Sequence, residues 1–331
     1  MQSGRLKRRE FITFGSAAAA WPFTAHAQQP IMPRVGFMNI LSPELAPRIV
    51  PAFQQGLKEQ GFIENQNLAV EYRWAYGDYN QLPVFVADFV RQNVAVIAAT
   101  GGQPSPQYAM AATRTIPIVF TTNGDPVREG LVASLNRPGG NTTGFTIFGG
   151  GAVAKRVQLL HEFAPSITAM GFLMNPTNPS ANFELDAAQQ AAQSLGMKMP
   201  VITASNETEL QAVFASLPQG AFGALLVASD SFFYARRELL VSLIAKQRLP
   251  AIYYLREFAD DGGLITYGNK LPEIYRPVGL YVGRILKGEK PAELPVQQPA
   301  SFELVINLKS AKSLGLAIPS GVMAIADEVI E

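Results

Sequence analysis

The chain has 331 residues, 48% hydrophobic and 16% charged, with a formal net charge of +1; it is long enough for two domains or one large one, and globular in its balance. No block of one charge sign marks a nucleic-acid or polyanion binder, so no nucleic-acid partner is expected. Cysteine is absent and the histidines are His26 and His161 alone, which excludes disulfides, a cysteine-borne lipid anchor and a Cys/His metal cluster.

The first 27 residues read as an export signal. Arg5, Lys7, Arg8 and Arg9 precede the apolar stretch "EFITFGSAAAAWPFTA", and Ala25-His26-Ala27 supplies a small-x-small cleavage pattern. "KRREFIT" fits a twin-arginine signal, in which two adjacent arginines direct a folded protein across the bacterial inner membrane; an ordinary Sec signal is the alternative. Cleavage near Ala27 removes those four cations and Glu10, turning +1 into −2. No later stretch supplies the ~20 uninterrupted apolar residues of a spanning helix, so a soluble periplasmic protein is expected. His161 then remains the one histidine, within the helical pattern "AKRVQLLHEFAP", and without a Gly-x-Ser-x-Gly elbow a Ser-His-Asp site is not expected.

From Pro33 onward apolar strands and amphipathic helices alternate. "RVGFMNI", "NLAVEYRW", "VAVIAAT" and "IPIVFTTN" are strands, and the segments between them carry helical spacing, the first stopped at Gly61. Continuous apolar strands indicate a parallel sheet covered on both faces. After the Gly- and Thr-rich passage "RPGGNTTGFTIFGGG", read as a link between lobes, a second series begins. "ITAMGFLMN", "KMPVITA", "FGALLVAS" and "PAIYYL" are its strands, again with helices between them. The expected fold class is α/β, two Rossmann-like lobes, each a parallel sheet flanked by helices. The expected boundaries are 28–145 plus 262–293 for lobe 1 and 146–261 plus 294–331 for lobe 2, joined near Thr146, Gly263 and Pro295.

In open parallel sheets ligands meet the loops at the carboxyl ends of the strands. Those loops carry Asn39 and Ser42, then Thr100, Gly101 and Gly102, then Thr121, Asn123 and Asp125 in the first lobe, and Asn175 and Asp230 in the second. The "TGG" turn could present backbone N–H groups to an anion or simply require positive φ; neither nucleotide-binding glycine spacing is present. Asp125 and Asp230 occupy equivalent loops, where each could hold a ligand, cap a helix or act as acid or base. Tyr254 and Tyr267 flank the place where the chain should recross. Trp74, with Tyr72 and Tyr76, reads as packing rather than a ligand wall.

The segments "GLKEQGFIENQNLAVEYRWAYGDYNQLPVFVADFV", "ATRTIPIVFTTNGDPVREGLVASLNRPGGNTTGFT", "REFADDGGLITYG" and "LPVQQPASFELVINLKSAKSLGLAIP" together resemble the substrate-binding proteins of ABC transporters, in the family that includes tryptophan-binding TrpX-like receptors. The likeness covers essentially the whole chain after the signal. It implies a type I periplasmic-binding-protein fold with a three-segment hinge, in which a small organic solute (an amino acid, aromatic or carboxylate compound) is held between the lobes. By the same likeness Thr121, Asn123 and Asp125 would hold that solute, and an ABC permease and its ATPase would be partners. No cofactor and no catalytic step are implied, and a monomer is expected. Two other functions fit the same loops: a periplasmic hydrolase or isomerase using Asp125 and Asp230, and a ligand receptor for a sensor kinase.

Overall fold

The computed structural model describes residues 32–331 apart from 46, 148, 149, 299 and 300; the expected signal peptide and its cleavage site lie outside the described residues. β1 (Arg34–Asn39), α1 (Ile49–Glu59), β2 (Ala69–Trp74), α2 (Leu82–Arg91), β3 (Val96–Ala99), α3 (Ser105–Ala112), β4 (Ile118–Thr122) and β5 (Thr142–Thr146) make the first lobe. Its sheet has the order β2-β1-β3-β4-β5, every pair parallel. Every residue of β3 and β4 is buried because both faces of the sheet are covered there, whereas the edge strand β2 carries Glu71 and Arg73 and is only half-buried.

The second lobe begins with α4 (Gly150–Phe163) and β6 (Met170–Met174), followed by α5 (Ala181–Ser194), β7 (Val201–Thr203), α6 (Glu207–Ser216) and β8 (Ala224–Val227). Next come α7 (Ser231–Ala235), α8 (Arg237–Lys246), β9 (Ala251–Tyr253), α9 (Glu257–Asp260) and β10 (Ile265–Gly268). Helix α10 (Leu271–Leu286) returns to pack on α1, and β11 (Glu303–Asn307), α11 (Leu308–Leu314), α12 (Ser320–Ala324) and β12 (Glu328–Ile330) close the second lobe. Its sheet runs β12-β11-β10-β9-β8-β6-β7. The parallel centre expected from the sequence is extended at one edge by β11, antiparallel to β10 because the chain arrives there from the other lobe.

Three features depart from the sequence reading. The Gly/Thr-rich link contains β5, whose threonines are buried with their hydroxyls bonded: Thr143 donates to the Leu294 carbonyl at 2.6 Å and Thr146 to that of Gly124 at 2.8 Å. β-Branched threonine suits a strand when its hydroxyl has a partner. The second crossing also lies later than Gly263. Ile265 and Thr266 pair with Ile252 and Tyr253 of β9, so 262–268 stays with the second sheet and the first lobe regains the chain only at α10. Gln297, expected in the second lobe, is bound to the first: its N–H donates to the Gly144 carbonyl, and its own carbonyl accepts from the Thr146 N–H, both at 3.0 Å. The Asn269 amide donates to the Ser301 carbonyl at 3.0 Å, tying the second crossing to the third.

Helix α10 is held on α1 by glycines. A Cβ on Gly279 would sit 2.1 Å from the Phe53 carbonyl oxygen, and one on Gly56 would sit 2.0 Å from that of Arg276. Alanine at 279 favours the isolated helix by about 1 kcal/mol. It must push two backbones apart, at a cost of roughly 1–3 kcal/mol or more. Gly279→Ala should therefore lower the urea midpoint of unfolding; a raised midpoint would show that the helices are not in backbone contact.

Candidate functional site

The loops at the carboxyl ends of both sheets meet, and a cavity lies between them. It has about 70 Å3 open to the centres of water-sized molecules, several times the ~10–15 Å3 that one water needs. From the first lobe Gly101, Gly102, Thr121 and Asn123 line it, and from the second Ser229, Asp230 and Ser231. Tyr254, Tyr267 and Phe302 form an aromatic wall, with the Tyr267 and Phe302 rings stacked at 5.3 Å and 15°. Ile147, Val153, Leu255 and Leu271 supply aliphatic surface.

Asp230 is the centre of the polar side. It is the N-cap of α7, its Oδ1 accepting from the N–H groups of Phe232 and Phe233 at 2.8 and 3.3 Å. Asn178 donates to Oδ2 at 2.8 Å, Asn175 donates at 3.3 Å, and the Tyr79 hydroxyl of the other lobe at 3.3 Å. Burial pushes the carboxyl up, against the pull of these donors. Asn175 is itself oriented by Thr177, whose N–H and hydroxyl both donate to its Oδ1.

Seven of the sequence candidates line the cavity: Gly101, Gly102, Thr121, Asn123, Asp230, Tyr254 and Tyr267. The other five do not. Asn39 is completely buried, donating to the Thr100 hydroxyl and the Tyr275 hydroxyl, each at 2.9 Å, and the Thr100 hydroxyl in turn donates to the Met38 carbonyl at 2.8 Å. Ser42 and Asn175 are likewise buried, Asn175 against Asp230. Asp125 points back at its own loop, where Oδ1 accepts from the N–H groups of Val127 and Arg128 at 2.9 and 3.2 Å. The loop composition is that of a binding rim, yet this carboxylate caps a turn. Gly101 and Gly102 have φ of +89° and +86°, which glycine alone adopts freely. The Gly101 N–H is taken by the Thr121 hydroxyl, so it is not offered to the cavity.

Sequence reasoning missed three residues. Glu129, just beyond the 121–125 loop, accepts from the Thr122 hydroxyl at 2.9 Å, from the Gln103 amide, and across the cleft from the Ser180 hydroxyl at 2.9 Å. Burial pushes its carboxyl up as well. Arg156 on α4 and Glu184 on α5 form an ion pair at 3.6 Å, 4% and 5% exposed in their side chains, and both line the cavity. Helical spacing hides such residues among ordinary surface charges. Further contacts cross the cleft: the Ser231 hydroxyl donates to the Gly101 carbonyl at 2.6 Å, and the Arg128 guanidinium lies 4.5 Å from the Phe183 ring centroid.

A profile of the family described as ABC transporter substrate binding protein matches residues 34–330. The chain belongs to that family. Among its relatives, a tyrosine-binding protein of Clostridioides difficile is 23% identical over 282 residues, covering 85% of this chain and 81% of the relative. A conserved domain protein from Vibrio cholerae superposes with a TM-score of 0.84 at 27% identity, covering 90% of this chain and 99% of its own. An ABC domain from Streptococcus pneumonia, solved with L-Trp, shares the fold with a TM-score of 0.83 at 22% identity and the same coverage. The family and these relatives place the chain among solute-binding proteins built of two α/β lobes.

The bridge from Glu129 to Ser180 depends on Gly124. A Cβ there would fall 1.6 Å from Glu129 Oε1 and 2.8 Å from Ser180 Oγ. Gly124→Ala should displace the carboxylate, at a cost of about 1.5–3 kcal/mol for hydrogen bonds to a charged group, and weaken solute binding roughly tenfold or more. Calorimetric titration beside circular dichroism checks this; unchanged affinity with an intact fold would remove the bridge from lobe closure.

Proposed function

We propose that the chain is a soluble periplasmic receptor of an ABC importer: it captures a small organic solute in the cavity between its lobes and presents the closed complex to a membrane permease and its ATPase. The observation that carries this reading is the cavity itself, lined from both lobes and sealed by Tyr79–Asp230, Ser231–Gly101 and Glu129–Ser180. Contacts of this kind exist only when the lobes meet, so a solute touching both lobes shifts the population to the closed form. The names of the relatives, one tyrosine-binding and one solved with L-Trp, support a solute of amino-acid size. Binding residues are drawn from the lining; Asn39, Thr100 and Asn175 position it from behind.

The receptor reading is favoured over a hydrolase or isomerase that uses Asp125 and Asp230. General acid-base catalysis needs both groups within reach of one reacting centre. Asp125 caps its turn away from the lining, and Asp230 already accepts from five protein donors. Calorimetry on the purified protein should give one solute per chain, and the solute should be recovered chemically unchanged by mass spectrometry after prolonged incubation; steady turnover would establish an enzyme.

Export by the twin-arginine route and monomeric action in the periplasm belong to the same proposal. Replacing Arg8 and Arg9 together by lysine should strand the precursor in the cytoplasm. Mature protein reaching the periplasm at its normal level would assign the route to Sec.

A further inference from the structure

The polar groups lining the cavity are unevenly satisfied. A guanidinium carries five N–H donors: one on Nε and two on each terminal nitrogen. In Arg156 Nη2 faces Glu184 Oε2 at 3.6 Å and Ser229 Oγ at 3.5 Å, while Nε and Nη1 are sealed from solvent with no hydrogen-bond acceptor. Three donors of one buried cation thus lack an acceptor among the described residues, beside a cavity that the same side chain lines. Leaving such donors unmet is costly, and native proteins seldom do it without a reason.

The acceptors stand in the opposite condition. Asp230 takes hydrogen bonds from five protein donors, two of them N–H groups at the start of α7. Glu184 is engaged through Oε2, by the Ser229 N–H at 2.9 Å and by Arg156 Nη2 at 3.6 Å. An α-ammonium would bring three further N–H donors to a wall where Asp230 and Glu184 Oε2 are already engaged, whereas a carboxylate would give the open N–H groups of the guanidinium the charged acceptor they lack. Apart from the neutral polar groups of Thr121, Asn123, Ser231 and Asn269, the remaining wall, with Tyr254, Tyr267, Phe302 and Leu271, is apolar or aromatic.

We propose that the solute is a monocarboxylate with an apolar or aromatic body and no ammonium group, and that Arg156 receives its carboxylate. This rests on the receptor reading of the same cavity. It sets the chain apart from the relatives whose names specify tyrosine or L-Trp. A buried water or inorganic anion on Arg156 is the competing explanation for the open donors.

Matched series separate these readings. Each series holds one body constant, from phenyl to indolyl and branched alkyl, and offers the acid, its α-amino acid and its neutral amide, for example 3-phenylpropanoate, L-phenylalanine and 3-phenylpropanamide. Titration calorimetry on the mature-length chain should show at least one acid binding tenfold or more tightly than its amino acid and its amide. Tighter binding of the amino acid, or equal binding of the amide, would overturn the proposal and leave the receptor intact. No binding by any member of any series would bring down the receptor reading with it. Arg156→Lys keeps a cation opposite Glu184, so the fold should survive, and loses the planar fork; acid affinity should fall about tenfold or more. Unchanged acid affinity in a folded Arg156→Lys protein would assign the open donors to a water or anion.

Discussion

A carboxylate sealed at the meeting point of two sheets must be surrounded by donors, because an unpaired buried charge costs several kcal/mol. Asp230 meets that requirement with the first turn of α7, with Asn175 and Asn178 from the loop after β6, and with Tyr79 from the other lobe. The donors from its own lobe fix the loops after β6 and β8 relative to one another whatever the other lobe does. The Tyr79 bond is different: it forms only when the lobes approach. One buried acid therefore both organises the second-lobe rim and records whether the cleft is shut.

The loop 121–130 plays the corresponding part on the first lobe. Asp125 caps its turn, Gly124 leaves room for the Glu129 carboxylate, and Glu129 reaches Ser180 at the N-cap of α5. Small residues and a turn-capping acid are needed here so that a larger acid can lie across the rim. Between the two rims the cavity is bounded largely by rings and aliphatic side chains, so polar recognition falls to few groups, and of the charge-bearing ones Arg156 and Glu184 sit on α4 and α5 while Asp230 belongs to a loop.

Much of this was legible in the sequence, and the reasons for the remainder are specific. Continuous apolar strands such as Val96–Ala99 and Ala224–Val227 announce a doubly covered parallel sheet, and in such sheets the loops after the strands are the site. That rule found Thr121, Asn123 and Asp230. It could not say which way a loop carboxylate points, so Asp125 was included and Glu129, beyond the expected loop, was not. Arg156 and Glu184 lie on helices, where a charge every few residues is ordinary; only the packing of α4 on α5 turns them inward. β5 was hidden by its threonine and glycine content, since its burial depends on hydroxyl partners from distant segments. The second crossing was misplaced because "GGLITYG" is followed directly by helix α10, and strand pairing, invisible in one sequence, decides to which lobe it belongs.

The central claim is that solute shifts two lobes from apart to together, and the absence of cysteine makes it directly measurable. Val84 on α2 and Met323 on α12 are exposed, in different lobes and away from the cavity, so V84C and M323C accept spin labels in an otherwise unlabelled chain. Pulsed electron-electron resonance without solute should give a distance distribution that includes separations longer than those of the closed form. Saturating solute should collapse it to a single narrow population matching the closed structure. An identical distribution with and without saturating solute would contradict the account.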